Sequence, residues 1–221
     1  MKAQCPFVLD YPRIETYHGL DISPSMVQQG RANYGHRTYV RFDEADLSQG
    51  LPAENEPPYH IYFSSYCSLS HLTASELERL SSQVFGHADQ GSIVVYDVYG
   101  RCSAEWPRYW DKTAQEQLPY TMGYLLPPEQ QDPKTTDWFD VTFWSGQELR
   151  DTLERAAVVA DKKIKILLLK DRSILVGRHM DTCYFKPQRF EVRRQVNTLF
   201  DRSYRGDTTG LKLDLDYVMA T

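Results

Sequence analysis

The first hundred residues alternate between strand-type and helix-type segments, and this alternation constrains the fold more than any other feature. Residues 17–22 and 37–46 have the apolar content of strands. Between them, Ser23 and Pro24 are residues favoured at an N-cap and at the first helical position, so we expect a helix over 24–33.

The same alternation continues beyond a polar loop. Residues 59–65 form a short apolar run typical of a buried strand. Thr73 and Glu76 have the spacing of a capping box, which predicts a helix over 74–87. A further strand is expected over 91–100. Strands that alternate with helices predict a parallel sheet with helices on its faces.

The pattern changes after Gly100, where residues 101–144 hold all four tryptophans together with several tyrosines and prolines. A connection of this length indicates an insertion or cap. Its rings could form a lid over an apolar or aromatic acceptor, or they could form the small core of the cap itself. In the lid interpretation, Arg101, Tyr109 and Tyr124 are residues that could reach a substrate.

The last part of the chain resumes regular patterns. Ser145 and Glu148 form a second capping box, with a helix expected to about Ala160, and KIKILLLK at 163–170 is expected to be a strand. We predict a single domain over residues 1–221, with 101–144 as the insertion or cap and 183–221 as a C-terminal extension.

Composition and charge exclude several classes of protein. The hydrophobic content of 41% and charged content of 25% are ordinary globular values. The formal net charge of −5 argues against a nucleic-acid partner. Apolar runs are too short to span a membrane, and no signal peptide is recognisable, so we expect no membrane association. The four widely spaced cysteines indicate reduced thiols in a cytoplasmic protein, and the six scattered histidines predict no metal site.

Polar residues close three neighbouring strands. Asp21 ends the first, Asp46-Leu47 ends the second, and the third ends in SSYCSLSHL at 64–72. Carboxyl ends of parallel strands face one crevice, where open α/β sheets bind ligands. A carboxylate can accept both hydroxyls of a ribose, and Asp46-Leu47 can offer an acceptor and a backbone N–H to an adenine edge. Each acid taken alone is more often a solvated surface residue.

These segments together resemble class I S-adenosylmethionine-dependent methyltransferases. HGLDISPSMV resembles the second-strand motif of that family, and FDEADLSQGLP resembles the third-strand motif. YHIYFSSYCSLSHL and GSIVVYDVYG resemble the fourth-strand and fifth-strand segments. The resemblance implies an α/β fold, a Rossmann-like methyltransferase sheet with strand order 3-2-1-4-5-7-6, and S-adenosylmethionine (SAM) as cofactor.

The resemblance also implies the site residues. Asp21 would bind the ribose and Asp46 with Leu47 the adenine, while the segment from Ser64 to Tyr66 would line the sulfonium end. The cofactor-binding residues expected in this way are Asp21, Ile22, Asp46, Leu47, Ser64 and Ser65.

Two further residues are candidates for catalysis on the acceptor side. His71 could orient or deprotonate an acceptor, or it could simply pack beside the start of the following helix. Tyr66 could line the acceptor site, with the same structural alternative. Because transfer of a methyl group from a sulfonium depends mostly on positioning and desolvation, a dedicated base is not required.

One part of the family pattern is missing from these residues. Gly19 is the first glycine of the chain, so the printed sequence contains no glycine-rich loop before the strand that ends at Asp21. PFVLDY at 6–11 cannot be the missing parallel strand, because only 12–16 would connect it to the next and a parallel crossover needs a dozen or more residues. We therefore expect an N-terminally incomplete sheet and weak or absent SAM binding by this chain alone. PFVLDY in antiparallel orientation, a second copy or a partner chain could complete the sheet.

The leading functional prediction is a SAM-dependent methyltransferase that acts on a small-molecule acceptor. The main alternative is a degenerate Rossmann-like module without catalysis, used for interaction. An oxidoreductase that binds the ribose of NAD through Asp21 is a weaker alternative. The absence of a GxGxxG motif counts equally against NAD binding and complete SAM binding, but the spacing to Asp46-Leu47 and SSYCSLSHL favours the methyltransferase.

Overall fold

The structure is a computed structural model that describes residues 13–53, 55–103, 109–121 and 137–171. The chain divides into two compact units, Met1–Asn55 and Glu56–Thr221. PFVLDY at 6–11 and the predicted extension at 183–221 lie outside the described residues.

Unit 1 consists of a strand, a helix and a second strand. Strand β1 (Tyr17–Asp21) pairs in parallel with β2 (Val40–Glu44), and helix α1 (Pro24–Tyr34) connects them. The predicted helix start at Pro24 is confirmed. The residue before it, Ser23, has the extended backbone of an N-cap, but its side chain makes no capping hydrogen bond.

Two glycines allow α1 to lie close against β1 and β2. A Cβ atom at Gly19 would lie 2.6 Å from the ring of Phe42, and one at Gly30 would lie 2.8 Å from the same ring. Real Cβ contacts are longer, so a side chain at either position would require the Phe42 ring to move. The rings of Tyr17 and Tyr34 also lie beside Phe42.

Unit 2 begins with a second strand–helix–strand element. Strand β3 (Ile61–Ser64) pairs in parallel with β4 (Ile93–Tyr96), and helix α2 (Ala74–His87) connects them. A short 3₁₀ turn at Ser68–His71 precedes α2. Thr73 accepts a hydrogen bond from the Glu76 backbone and the Glu76 side chain accepts one in return, so the predicted capping box is confirmed.

The cap segment contains a strand pair that the sequence analysis does not predict. Strand β5 (Gln117–Tyr120) pairs antiparallel with β6 (Phe139–Thr142). Around this pair lies a cluster of buried side chains with Tyr99 and Phe139 against it: Tyr109, Leu118, Tyr120, Val141 and Phe143. The described part of the cap therefore has a core of its own.

Helix α3 (Gly146–Val159) begins at the second predicted capping box, which the structure confirms through Ser145 and Glu148. It packs against α2. The predicted strand at 163–170 is wrong for the described residues: the segment is irregular and pairs with no described strand. A strand needs a neighbour for its backbone hydrogen bonds, and Leu167 and Leu168 in this segment are exposed.

The described strands form three two-stranded sheets, not one seven-stranded sheet. Two of these sheets, β1–β2 and β3–β4, are parallel strand pairs connected by a helix, as the alternation predicts. The alternation of strands and helices is thus confirmed, and continuity of the sheet is not seen among the described residues.

Candidate functional site

In unit 1, the structure brings two of the predicted acids to the same edge of the parallel strand pair. Asp21 closes β1, and the Ala45 backbone N–H donates to the Asp21 carbonyl at 3.0 Å. Asp46 is the next residue after Ala45. The predicted pairing of Asp21 and Asp46 at one sheet edge is therefore present in the backbone of this unit.

Asp21 is oriented by the turn that starts α1. Its Oδ1 accepts a hydrogen bond from the Ser23 backbone N–H at 2.9 Å. The carboxylate is otherwise exposed, as is the neighbouring Ile22, whose side chain is 65% exposed. A fixed, solvent-facing carboxylate of this kind can accept hydrogen bonds from the two hydroxyls of a ribose.

Asp46 is held by a matching turn. Its Oδ1 accepts from the Ser48 backbone N–H at 2.9 Å, and its carbonyl accepts from Gln49 at 3.0 Å. Hydrogen bonds from the Ser48 side chain and backbone hold the pKa of Asp46 below its usual value. Leu47 beside it is half-buried. Asp46 is thus a charged acceptor beside an apolar side chain, which suits the polar edge and the flat face of an adenine.

In unit 2, the carboxyl edge of β3–β4 carries the other predicted cofactor residues. The Asp97 backbone N–H donates to the Ser64 carbonyl at 3.2 Å. The Ser65 carbonyl accepts from both the backbone N–H and the hydroxyl of Ser68, the latter at 2.8 Å. Ser64 and Ser65 are half-buried. The hydrogen bonds shown here engage their backbone carbonyls and fix the loop.

Tyr66 and Cys67 follow in an uncommon backbone conformation. Their φ angles are 55° and 56°, in the left-handed region that non-glycine residues rarely occupy. The Tyr66 side chain is 92% exposed. Burial, with the charge of Asp97 adding to it, raises the pKa of the Cys67 thiol to about 12. Cys67 therefore stays protonated near neutral pH and is not a nucleophile.

His71 lies at the end of the 3₁₀ turn, against the cap. Its ring centre is 5.1 Å from that of Phe139, and its carbonyl accepts a hydrogen bond from the Gln117 side chain at 3.1 Å. Burial lowers the pKa of His71, and a hydrogen bond with the Asp140 backbone partly opposes this effect. The ring is therefore neutral near pH 7 and able to accept a proton. Its packing on Phe139 agrees with the structural alternative, and a role as base stays a prediction.

The described part of the cap is attached firmly to this loop. The Thr142 hydroxyl, which is fully buried, donates to the Leu72 carbonyl at 2.7 Å. The Tyr99 backbone N–H donates to the Ser70 hydroxyl at 2.8 Å. These bonds join β6 and the residues after β4 to the segment that follows β3. This part of the cap is therefore held in place beside that segment.

Two cap residues considered as substrate contacts have structural roles instead. Arg101 is buried and forms an ion pair with Glu148, with Nη2 and Oε2 2.6 Å apart. Tyr109 is buried in the core of the cap and donates from its hydroxyl to the Pro119 carbonyl at 2.8 Å. Tyr124 lies outside the described residues.

The sequence analysis missed Asp97, which directly follows β4 at the same edge as Ser64. In the register, Ser64 lies opposite Tyr96, so Ser65 and Asp97 are the next pair beyond the strands. Asp97 is exposed. Like Asp21 and Asp46, Asp97 is an acid at the end of a strand. The sequence analysis missed it because the strand was expected to continue to residue 100.

Searches for other kinds of site add little. Within residues 13–53, 55–103, 109–121 and 137–171, no group of three or more His, Cys, Asp or Glu side chains could hold a metal ion. None of the helices described in those ranges is both long enough and apolar enough to cross a membrane.

Comparison with known proteins finds a family match over part of the chain. The family profile described as "Methyltransferase domain" matches residues 7–91. The match agrees with the resemblance to methyltransferases over that stretch, which is less than half of the chain.

The other comparisons are weaker. A solved structure similar to this chain is a S-adenosylmethionine-dependent methyltransferase from Clostridium acetobutylicum ATCC 824, with 12% identity and a TM-score of 0.46 over 72% of this chain and 73% of that chain. A likeness at this level carries no argument about the function of this chain. No curated protein matches it.

Proposed function

We propose that this chain is a SAM-dependent methyltransferase of a small-molecule acceptor. The observation that carries the proposal is the joint position of Asp21 and Asp46 at the carboxyl edge of a parallel strand pair, inside the stretch that matches the methyltransferase family. Ligands of open α/β sheets bind at such edges.

Unit 1 would bind the adenosine part of the cofactor. Asp21, already oriented by Ser23, would accept hydrogen bonds from the ribose hydroxyls. Asp46 would accept from the adenine amino group while Leu47 packs on the ring. The exposed Ile22 would add apolar contact beside the ribose. These are hydrogen-bond acceptors and apolar surface that suit an adenosine.

SAM supplies a methyl group on a sulfonium, and the transfer is an in-line displacement by a nucleophilic atom of the acceptor. Ser64 and Ser65 would line the sulfonium end, and Tyr66 and His71 would contact the acceptor. Because His71 is neutral near pH 7, it could take the proton that the acceptor loses. Positioning and exclusion of water would supply most of the rate acceleration.

The contacts proposed for unit 1 are all with the adenosine part of the cofactor. We therefore propose that adenosine supplies most of the affinity. S-Adenosylhomocysteine and 5′-methylthioadenosine, which lacks the amino-acid end, should bind with dissociation constants within about tenfold of each other, equivalent to about 1.4 kcal/mol.

Isothermal titration calorimetry of both ligands tests the proposal. The wild-type chain should bind each of them, and Asp21→Asn should weaken binding at least tenfold because an amide replaces the charged acceptor. Asn can still accept the Ser23 hydrogen bond, so the turn should be preserved. Glu44→Gln removes a charge at the register position opposite Asp21 and is the matched control. Equal affinities of all three proteins would contradict the proposal.

Methyl transfer itself requires a separate measurement. Incubation with methyl-labelled SAM and a set of small hydroxylated and amino compounds should yield labelled products. Binding of adenosine ligands without transfer to any acceptor would favour the alternative of a non-catalytic interaction module.

A further inference from the structure

The segment after β3 contains an aromatic side chain whose position the fold does not require. The Tyr66 side chain is 92% exposed, although it lies at the carboxyl edge of a parallel strand pair. Its backbone has a φ of 55°, and the next residue, Cys67, has a φ of 56°. Two consecutive non-glycine residues in the left-handed region are strained, and such strain is concentrated at ligand-binding sites.

The surrounding contacts explain how this turn persists. The Ser65 carbonyl accepts from the Ser68 hydroxyl at 2.8 Å, and the Cys67 carbonyl accepts from the Ser70 backbone N–H at 2.9 Å. The Ser70 hydroxyl in turn accepts from the Tyr99 backbone N–H at 2.8 Å. Both sides of the strained pair are therefore fixed by hydrogen bonds.

Burial of the ring does not offset the strain. Cys67 places its side chain partly inside, whereas Tyr66 points its ring into solvent. The strained turn has one clear consequence, which is to present an aromatic face beside the end of β3.

Asp97 adds a hydrogen-bond acceptor at the same edge. Its backbone N–H donates to the Ser64 carbonyl at 3.2 Å, which places it directly beyond the register pair of Ser64 and Tyr96. Its carboxylate is exposed. An aromatic face and a carboxylate on neighbouring strand ends suit a planar molecule that carries an O–H or N–H group.

We infer that Tyr66 and Asp97 form a subsite for a planar aromatic acceptor, with the ring of Tyr66 stacked on it and the carboxylate of Asp97 accepting its O–H or N–H hydrogen bond. That the bound molecule is the methyl acceptor rests on the proposed function. That Tyr66 and Asp97 bind a planar aromatic molecule depends only on residues of unit 2.

The probes are 2-naphthol and its saturated counterpart decahydro-2-naphthol, which has the same heavy atoms but no aromatic face. Saturation-transfer NMR and calorimetry on the full chain should show at least tenfold tighter binding of 2-naphthol. Similar affinities for the two probes in the wild-type chain would overturn the inference.

Substitutions at Tyr66 separate recognition from folding. Tyr66→Gly removes the ring and relieves the left-handed strain, so the preference for 2-naphthol should vanish while the melting temperature stays equal or rises. Tyr66→Phe keeps the aromatic face and should keep the preference. A preference for 2-naphthol that survives in Tyr66→Gly would overturn the role of the ring.

A second pair of ligands tests the hydrogen bond to Asp97. Asp97→Asn should weaken the binding of 2-naphthol at least threefold. It should leave the affinity for 2-methoxynaphthalene, which has no O–H donor, within twofold of the wild-type value. Equal weakening of both ligands would overturn the hydrogen bond to Asp97.

Failure of this inference can be distinguished from failure of the proposed function. S-Adenosylhomocysteine binding that depends on Asp21, without preference for 2-naphthol, would overturn the planar subsite alone. A preference for 2-naphthol that depends on Tyr66, without any adenosine binding, would support the subsite and contradict the methyltransferase proposal.

Discussion

At the scale of single residues, the chemistry of this chain is concentrated in side chains that follow strands. Asp21, Asp46 and Asp97 each stand at or just beyond a carboxyl strand end. The sequence identified the first two because an acid interrupts the apolar pattern there. It missed Asp97 because the apolar residues on either side of it make the strand look longer than it is.

Glu148 illustrates a residue whose importance could be predicted only in part. The sequence predicted its capping role, and the structure adds the ion pair with Arg101 and a hydrogen bond from the Ala114 backbone at 3.0 Å. Burial acts to raise the pKa of Glu148, but the bonds from Arg101, Ser145 and Ala114 outweigh it and lower the pKa to about 2. The extra contacts come from the cap and are long-range.

A pH-dependent loss of stability follows from this lowered pKa. Because the folded-state pKa of Glu148 lies below its ordinary value of 4.5, its contribution is complete above pH 4.5 and is lost as the pH falls toward 2. The melting temperature of the wild type should fall more between pH 5 and pH 2 than that of Glu148→Gln, in which the capping side chain is retained. Parallel curves for the two proteins would contradict the ion-pair assignment.

His71 should titrate below its ordinary range. Burial lowers its pKa, against a smaller opposing effect from the Asp140 backbone, so the NMR titration midpoint should lie below 6.5. Phe139→Leu, which uncovers the ring, should move the midpoint upward. A wild-type midpoint at or above 6.5 would show that the packing on Phe139 does not shield the ring.

At the scale of elements, helices were predicted better than strands. The starts of α2 and α3 are encoded locally by capping boxes, and both helices begin where expected. The pairing of β5 with β6 was not predicted because it joins two segments that are not adjacent in sequence. The segment at 163–170 has strand composition, but its composition alone does not supply a hydrogen-bonding neighbour.

Removal of a capping side chain should measurably destabilise unit 2. Thr73→Ala deletes the hydroxyl that accepts from the Glu76 backbone, and we expect a loss of about 1 kcal/mol in the free energy of unfolding, measured by urea denaturation. Ser82→Ala is the matched control, because Ser82 lies within the same helix and bonds only to the preceding turn at Arg79. An equal effect of the two changes would argue against the capping box.

The attachment of the cap can be tested at Thr142. Thr142→Val keeps the side-chain volume but leaves the Leu72 carbonyl without its donor, so we expect a loss of about 1–3 kcal/mol in unfolding free energy. Thr152→Val is the control at a second buried threonine, since its hydroxyl accepts from the exposed Arg155 side chain. Indistinguishable stabilities of Thr142→Val and wild type would contradict the proposed anchoring.

At the scale of the whole molecule, the sequence predicted the repeated strand–helix–strand units but not the extent of the sheet. Both parallel pairs form as expected, because their strands are close in sequence and their helices carry strong local signals. A continuous sheet depends on contacts between distant segments, which local patterns do not specify. The prediction of one domain over 1–221 remains a prediction.

The most direct test of the central claim is to locate the adenine-binding residues chemically. The 8-azido derivative of SAM, photolysed with the full chain, labels residues near the adenine, and mass spectrometry identifies the labelled position. The account predicts labelling between residues 45 and 48, around Asp46 and Leu47, that excess S-adenosylhomocysteine abolishes. Labelling elsewhere in the chain, or labelling that excess S-adenosylhomocysteine does not reduce, would contradict the assignment of this edge as an adenosine site.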